Sequence, residues 1–357
     1  MDKVFIIAEA GVNHNGSLNM ALQLVDVAVA AGVDAIKFQT FKAEKLVNKT
    51  APKAEYQVKT TDEKETQFDM IKKLELDETA HKQLSAYCAK KGIQFLSTPF
   101  DLDSVDFLAY QIGVPRLKIS SGDITNGPLL LKAAGTDKPI ILSTGMSTLE
   151  EIEAALGVLA FGYIRNKEKP CWSSFQEAYY SSFGQKVLKQ KVVLLHCTTE
   201  YPAPIEDVNH RAIEVLKTTF GLPVGFSDHT EGIVISIAAV AMGAEVIEKH
   251  FTLDQSLPGP DHKASLEPQE LKDMVASIRQ VERAFGSAKK APSKSEIRNI
   301  PIVRKSLVAA RDIKEGDIFT EDSFTVKRPG NGVSPMEYWH WLGRVAHKDY
   351  DKDEVIE

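Results

Sequence analysis

Along the first 286 residues the apolar positions repeat one arrangement. A short aliphatic or β-branched run comes first, then a polar stretch, then a longer segment of helical period that closes on glycine. The short runs predict strands at Val4–Glu9, Ala35–Thr40, Gln94–Pro99, Arg116–Ser121, Pro139–Thr144, Val192–Thr198, Pro223–Asp228 and Glu245–Phe251, each followed by a helix-like segment. Eight βα units in sequence predict a closed parallel barrel, with a doubly wound open sheet as the competing arrangement. The helices carry their own punctuation: Ser147 with Glu150 reads as a capping box, Pro268 as a first-turn residue, and Gly32, Gly92, Gly113, Gly221, Gly243 and Gly286 as helix ends.

Two segments depart from this rhythm. Residues 162–190, which include "RNKEKPCWSSFQEAYYSSFGQ", interrupt the fifth unit and read as a surface elaboration, with a shaped substrate pocket as the other reading. After Gly286 the chain turns to "SAKKAPSKSEIRNIP", a Lys, Ser and Pro stretch without sustained apolar period. The predicted organisation is a barrel at 1–286, a linker at 287–303 and a small β-rich domain at 304–357, whose core is marginal alone and is expected to dock on something.

Composition narrows the class. The chain of 357 residues is 43% apolar and 26% charged with a net charge of −6, which offers nucleic acid or an anionic membrane no general attraction. The longest apolar stretch, Gly232–Ala244, is too short to span a bilayer. The strand-like run at Val4–Ala8 leaves no room for a signal peptide, and Cys88, Cys171 and Cys197 have no paired spacing, so a reducing cytoplasmic setting is expected.

In such a barrel the chemistry is built at the C-terminal ends of the strands, and polar residues recur there. They include Glu9, Asn13 and His14 at the first strand, Lys37 and Gln39 at the second, Ser97 and Thr98 at the third, and Lys118 and Ser121 at the fourth. His196 and Tyr201 follow at the sixth, Ser227, Asp228 and His229 at the seventh, and Glu248 and His250 at the eighth. Helix capping accounts for many of the hydroxyls, but not for two lysines inside apolar strands, because an unpaired buried ammonium is costly. Lys37 and Lys118 imply an internal carboxylate or a bound phosphate or carboxylate, with a Schiff-base lysine as the rival. One strand-end histidine is ordinary; His229 and His250 on neighbouring strands, with Asp228, Glu248 and Glu9 close by, suit an open imidazole and carboxylate site for Mn, Co, Fe or Zn.

The motifs "IAEAGVNHNGSLNMA", "KFQT", "FLSTPF", "KISSGD", "LLHCTTEYPAP", "GFSDHT", "EKHFTLD", "PGPDHKASLEP" and "VKRPGNG", in this order, resemble the bacterial sialic acid synthases over nearly the whole chain. These are N-acylneuraminate synthases made of a TIM (β/α)8 barrel and a C-terminal antifreeze-like (SAF, β-clip) domain. The resemblance implies condensation of phosphoenolpyruvate, an N-acyl hexosamine and water to a nine-carbon 2-keto acid and phosphate. It implies that His229 and His250 hold a divalent ion, Mn2+ by family precedent, and that Glu9 moves protons or orients water. Lys37, Thr98, Lys118, Ser121 and Ser227 match the phosphoenolpyruvate cradle, and Gln39, Tyr201 and Asp261 the sugar contacts. Arg328 matches an arginine reaching the barrel of a partner subunit, which implies a domain-swapped homodimer. The expected sugar is N-acetylmannosamine; legionaminic or pseudaminic acid synthesis from a 2,4-diacetamido-trideoxy hexose is the alternative, and a metal-dependent or Schiff-base keto-acid lyase a more distant one. Sialate synthases of this kind carry Glu at Asp123, Asn at Thr199 and His at Phe38, departures that bear on the choice of sugar.

Overall fold

Strands form where the apolar runs predict them, to within two residues: β1 (Phe5–Gly11), β2 (Ala35–Thr40), β3 (Gln94–Pro99), β4 (Leu117–Ile119), β5 (Ile140–Ser143), β6 (Val192–Cys197), β7 (Val224–Asp228) and β8 (Val246–His250). The computed structural model describes residues 3–62, 65–164 and 169–357. All eight strands are parallel, in the order β3-β2-β1-β8-β7-β6-β5-β4, and ladders join every neighbour along that series. This is a (β/α)8 barrel, nearly closed, with its seam between β3 and β4.

Side chains alternate across each strand, so one set fills the barrel and the other meets the helices. Ile7, Ala35, Leu96, Ile141, Leu195 and Val246 form an apolar layer inside. The next inward positions, towards the C-terminal strand ends, are Glu9, Lys37, Thr98, Lys118, Ser227 and Glu248, so the interior changes from apolar to charged within one residue pair. The outward set, among it Ile6, Ala8, Ile36, Phe38, Phe95 and Phe226, packs in the main core. Gly225 keeps the inward position of β7 empty: a Cβ there would lie 2.4 Å from the Val246 carbonyl oxygen and 2.6 Å from Leu195 Cδ2.

Local signals hold with one shift. Gly32 and Gly92 end their helices in the left-handed region, and Pro268 opens the helix Pro268–Ala284. The capping box of the helix Leu149–Ile164 is Thr148 with Glu151, not Ser147 with Glu150. Thr148 N donates to Glu151 Oε2 at 2.8 Å and Glu151 N to Thr148 Oγ1 at 3.3 Å, while Ser147 Oγ donates to the Gly145 carbonyl. The extra residues after this helix form two more, Trp172–Tyr180 and Ser182–Lys191, and Phe175 packs on Phe161 at 5.3 Å; residues 165–168 of the expected insertion lie outside the described residues.

The chain divides into compact units at 1–286 and 287–357. In the second, one-turn helices at Lys294–Ile297 and Ile300–Val303 precede an antiparallel pair, β9 (Ser306–Ala309) and β10 (Phe324–Lys327). Leu307, Ile313, Phe319, Phe324, Tyr350 and Ile356 make its core, with Phe319 and Phe324 ring centroids 4.9 Å apart.

Candidate active site

At the C-terminal mouth of the barrel lies a cavity of about 390 Å³. Of the residues singled out in the sequence, Glu9, Lys37, Gln39, Thr98, Lys118 and Ser121 line it from the first four strands, and Tyr201, Ser227, His229, His250 and Asp261 from the rest. Arg328 belongs to the small unit, where it is exposed and its Nε donates to the Val303 carbonyl at 3.0 Å. Other strand-end residues serve the framework instead. Asn13 donates to the Phe251 carbonyl and Ser265 Oγ, His14 accepts from Gly16 N, Ser97 joins Thr40 and His81 in a buried hydroxyl–imidazole chain, and His196 bonds the Val208 carbonyl.

The puzzle of the two lysines resolves into an ionic cluster. Lys37 and Lys118 are only 3% and 4% exposed, so their charge must be met internally. Lys37 Nζ lies 2.9 Å from Glu9 Oε2 and 3.6 Å from Glu248 Oε2, and Lys118 Nζ lies 3.4 Å from Glu248 Oε1. Lys37 also donates to Thr98 Oγ1 at 3.1 Å, and Ser227 Oγ to Glu248 Oε1 at 2.9 Å. Burial works against the charge on Glu248, but Lys118 and Lys37 outweigh it and hold this carboxyl down at about 2. Glu9 has Lys37 as its close cation; burial, reinforced by Glu248, pushes it up to about 7. Lys37 is pushed up because its two carboxylates outweigh burial, whereas burial and the neighbouring Lys37 hold Lys118 down against Glu248. The site thus has one firmly ionised acid and one poised to exchange a proton near neutrality.

Beside this cluster the two histidine rings stand 5.6 Å apart between centroids, a separation that one ion with bonds to imidazole nitrogen of about 2.1 Å can bridge. His229 Nδ1 donates to the Thr198 carbonyl at 2.6 Å, so its Nε2 is the unprotonated nitrogen, with Ser227 Oγ 3.4 Å away, and His250 Nδ1 is buried without a hydrogen-bond partner. Burial holds His229 down at about 4 and, with His229 next to it, His250 well below the ordinary range, so both rings are neutral donors near pH 7. No group of three or more His, Cys, Asp or Glu suited to one ion occurs among the described residues, so these two imidazoles fit only an open site with positions left for substrate or water. Asp261, pushed up to about 6 by burial, lies 3.9 Å from His250 Nδ1, and Tyr201 stacks on His229 at 4.1 Å.

The backbone leaves room for this density of groups. Gly11 has a φ of 51°, and a Cβ there would lie 3.3 Å from both Glu9 Oε1 and His250 Cε1. Behind the histidines, Asp228 and Lys249 pair across β7 and β8 at 3.1 Å with no exposure. Asp228 also accepts from Thr230 N, Thr230 Oγ1 and Ser236 Oγ, and Lys249 donates to the Thr230 carbonyl.

Glu248, expected beside the histidines as a carboxylate of the metal site, instead pairs with Lys37 and Lys118, and Cys197, which the sequence does not single out for the site, lies with its Sγ 3.1 Å from Ser121 Oγ at the cavity. Sequence reasoning also left out an apolar wall supplied by the connection 41–77, which carries the short helices Ala43–Leu46, Glu55–Thr60 and Gln67–Lys73. The signal was present as length, since the connection far exceeds what joining a strand to its helix requires. Of the three departures, Thr199 lines the cavity, and Asp123 accepts from Ser120 Oγ at 2.6 Å. Phe38 faces outward and stacks on Phe95 at 5.8 Å, so that change reaches the core rather than the cavity.

A model described as the NeuB family matches residues 24–290, and one for the SAF domain matches residues 304–357. The chain belongs to the NeuB family. Among its relatives, an N,N'-diacetyllegionaminic acid synthase of Campylobacter jejuni is 54% identical, covering 100% of this chain and 99% of that protein. One of the same description from Legionella pneumophila is 48% identical over 95% of this chain and 89% of its own. A solved N-acetylneuraminic acid synthetase of Leptospira borgpetersenii, in complex with citrate, superposes with a TM-score of 0.68 at 36% identity, over 84% of this chain and 90% of its own. These relatives are sugar-acid synthases, and the two described as N,N'-diacetyllegionaminic acid synthases are more similar to this chain than the solved N-acetylneuraminic acid synthetase is.

Proposed function

We propose that this chain condenses phosphoenolpyruvate with a 2,4-diacetamido-trideoxy hexose and water to give an N,N'-diacetyllegionaminic-type 2-keto acid and phosphate. The observation that carries the choice of sugar is the 54% identity, along the full length, to a synthase of that description, against 36% for the sialic acid enzyme. In this reading Lys37, Lys118, Thr98, Ser121 and Ser227 bind the phosphate and carboxylate groups, and Gln39, Tyr201 and Asp261 hold the sugar, all from one cavity. His229 and His250 would hold a divalent cation, Mn2+ being the expected one, which would supply Lewis acidity towards the sugar's aldehyde.

The new bond joins C3 of phosphoenolpyruvate to the aldehyde carbon, whose oxygen takes up a proton. Water adds at C2, releasing a proton, and phosphate leaves C2 as the keto group forms. Glu9 is suited to the proton steps because burial holds it near 7, where it can both accept and return a proton. Glu248, firmly ionised between the two lysines, keeps their ammonium groups in place. The test is phosphate release from phosphoenolpyruvate by the purified protein with Mn2+. Release that depends on the diacetamido sugar is expected; no release with that sugar overturns the reading.

A further inference from the structure

The cavity lining divides chemically: the strand ends supply its charged groups, while Val12, Phe41, Leu46, Met70, Ile71 and Leu74 supply apolar ones. Val12, Phe41 and Leu74 are buried and pack with Leu46 and Ile71 into a cluster of their own, apart from the barrel core.

This wall is fastened at several points. Thr66 caps the helix Gln67–Lys73, accepting from Asp69 N at 3.1 Å, and the Lys73 carbonyl at its other end abuts Gly16, where a Cβ would come within 2.4 Å of that oxygen. Glu75 accepts from Ala43 N at 2.5 Å and pairs with Lys72 at 3.1 Å, tying the beginning of the connection to its end. Two carboxamides join the apolar residues at the cavity: Gln57 and Gln67, with Gln67 Nε2 donating to Gln57 Oε1 at 3.4 Å.

We infer that this wall is the subsite for the C4–C6 end of the sugar and selects a deoxygenated, acylamino-substituted chain. The inference rests on the reading under Proposed function, because the aldehyde end must meet phosphoenolpyruvate at the charged groups and the far end then meets the apolar ones. A carboxamide offers both a donor and an acceptor, which matches an acylamino group. A C6 methyl buries apolar surface against Met70 and Leu74, whereas a hydroxymethyl there gives up water without a new partner.

The test is kcat/KM of the Mn2+-loaded enzyme with phosphoenolpyruvate and four acceptors, varied at C6 (methyl or hydroxymethyl) and at C4 (acetamido or hydroxyl). The wild type is expected to disfavour the hydroxymethyl, and separately the C4 hydroxyl, by about tenfold to a hundredfold each. Met70→Gln and Leu74→Asn should narrow the C6 gap to about threefold, and Gln67→Ala the C4 gap, mainly through KM. Wild-type rates within about threefold across the C6 pair, or a folded Met70→Gln enzyme that keeps the full gap, overturn the inference while leaving the proposed reaction standing. A variant that does not fold leaves the wild-type acceptor series to decide. No turnover of the 4-acetamido-6-deoxy acceptor removes the proposed reaction, and the subsite with it.

Discussion

Two buried groups show how residue environments set charge in this barrel. His14 accepts from Gly16 N through Nδ1, a role open only to the unprotonated nitrogen, and burial holds it down at about 4. Its folded value lies below the unfolded one, so the unfolded chain binds more protons and the contribution of His14 to stability is lost as pH falls from about 6.5 towards 4. Glu9 has the opposite sign: its value, raised to about 7, makes the folded state bind the extra proton, so stability is lost as pH rises from about 4.5 to 7. Urea unfolding of wild type, His14→Gln and Glu9→Gln across pH 4–7 should give differences with opposite slopes, each up to about 1.4 kcal/mol per pH unit. A pH-independent difference for either variant refutes the corresponding assignment. Lys37 and Lys118 were legible in the sequence as charges needing partners, whereas the division of roles between Glu9 and Glu248 was not, because it depends on which acid faces both lysines.

Among elements, the strands were the most legible, since an inward and outward alternation is written directly into the chain. The same alternation explains why Ser97, His196 and Phe38 do not reach the cavity despite standing beside residues that do. It also sends Asp228 and Lys249 outward, each adjacent to one of the two site histidines, and their fully buried pair pins β7 to β8 in register. Lys249→Met should destabilise the protein by about 3–5 kcal/mol, because it leaves Asp228 buried without its cation, and Asp228→Asn with Lys249→Met should recover part of that. Thermal or urea unfolding measures both, and a single-variant cost below about 1 kcal/mol contradicts the role assigned to the pair. The connection 41–77 was not legible as a wall, since its helices are short and its apolar residues show no sustained period. Only the tertiary fold brings Leu74 together with Val12 and Phe41 in one buried cluster.

For the whole molecule, two compact units raise the question of what the small one does. Its exposed Arg328 carries the expectation of a second copy, which we retain as a proposal: the arginine of one subunit acts at the barrel of its partner. Mixing inactive Arg328→Ala and His229→Ala proteins under subunit exchange should restore about a quarter of wild-type activity, since half the dimers are mixed and each has one complete site. No recovery, with exchange verified by sedimentation of tagged subunits, excludes action between subunits. The sequence by itself determined the eight βα units, the polar strand ends and the family, because alternation, helical period and motif order are local properties of the chain. Tertiary structure alone decided which polar residues share one cavity, which acid keeps its charge, and that apolar residues line the same cavity, because each depends on distances between residues far apart in the chain.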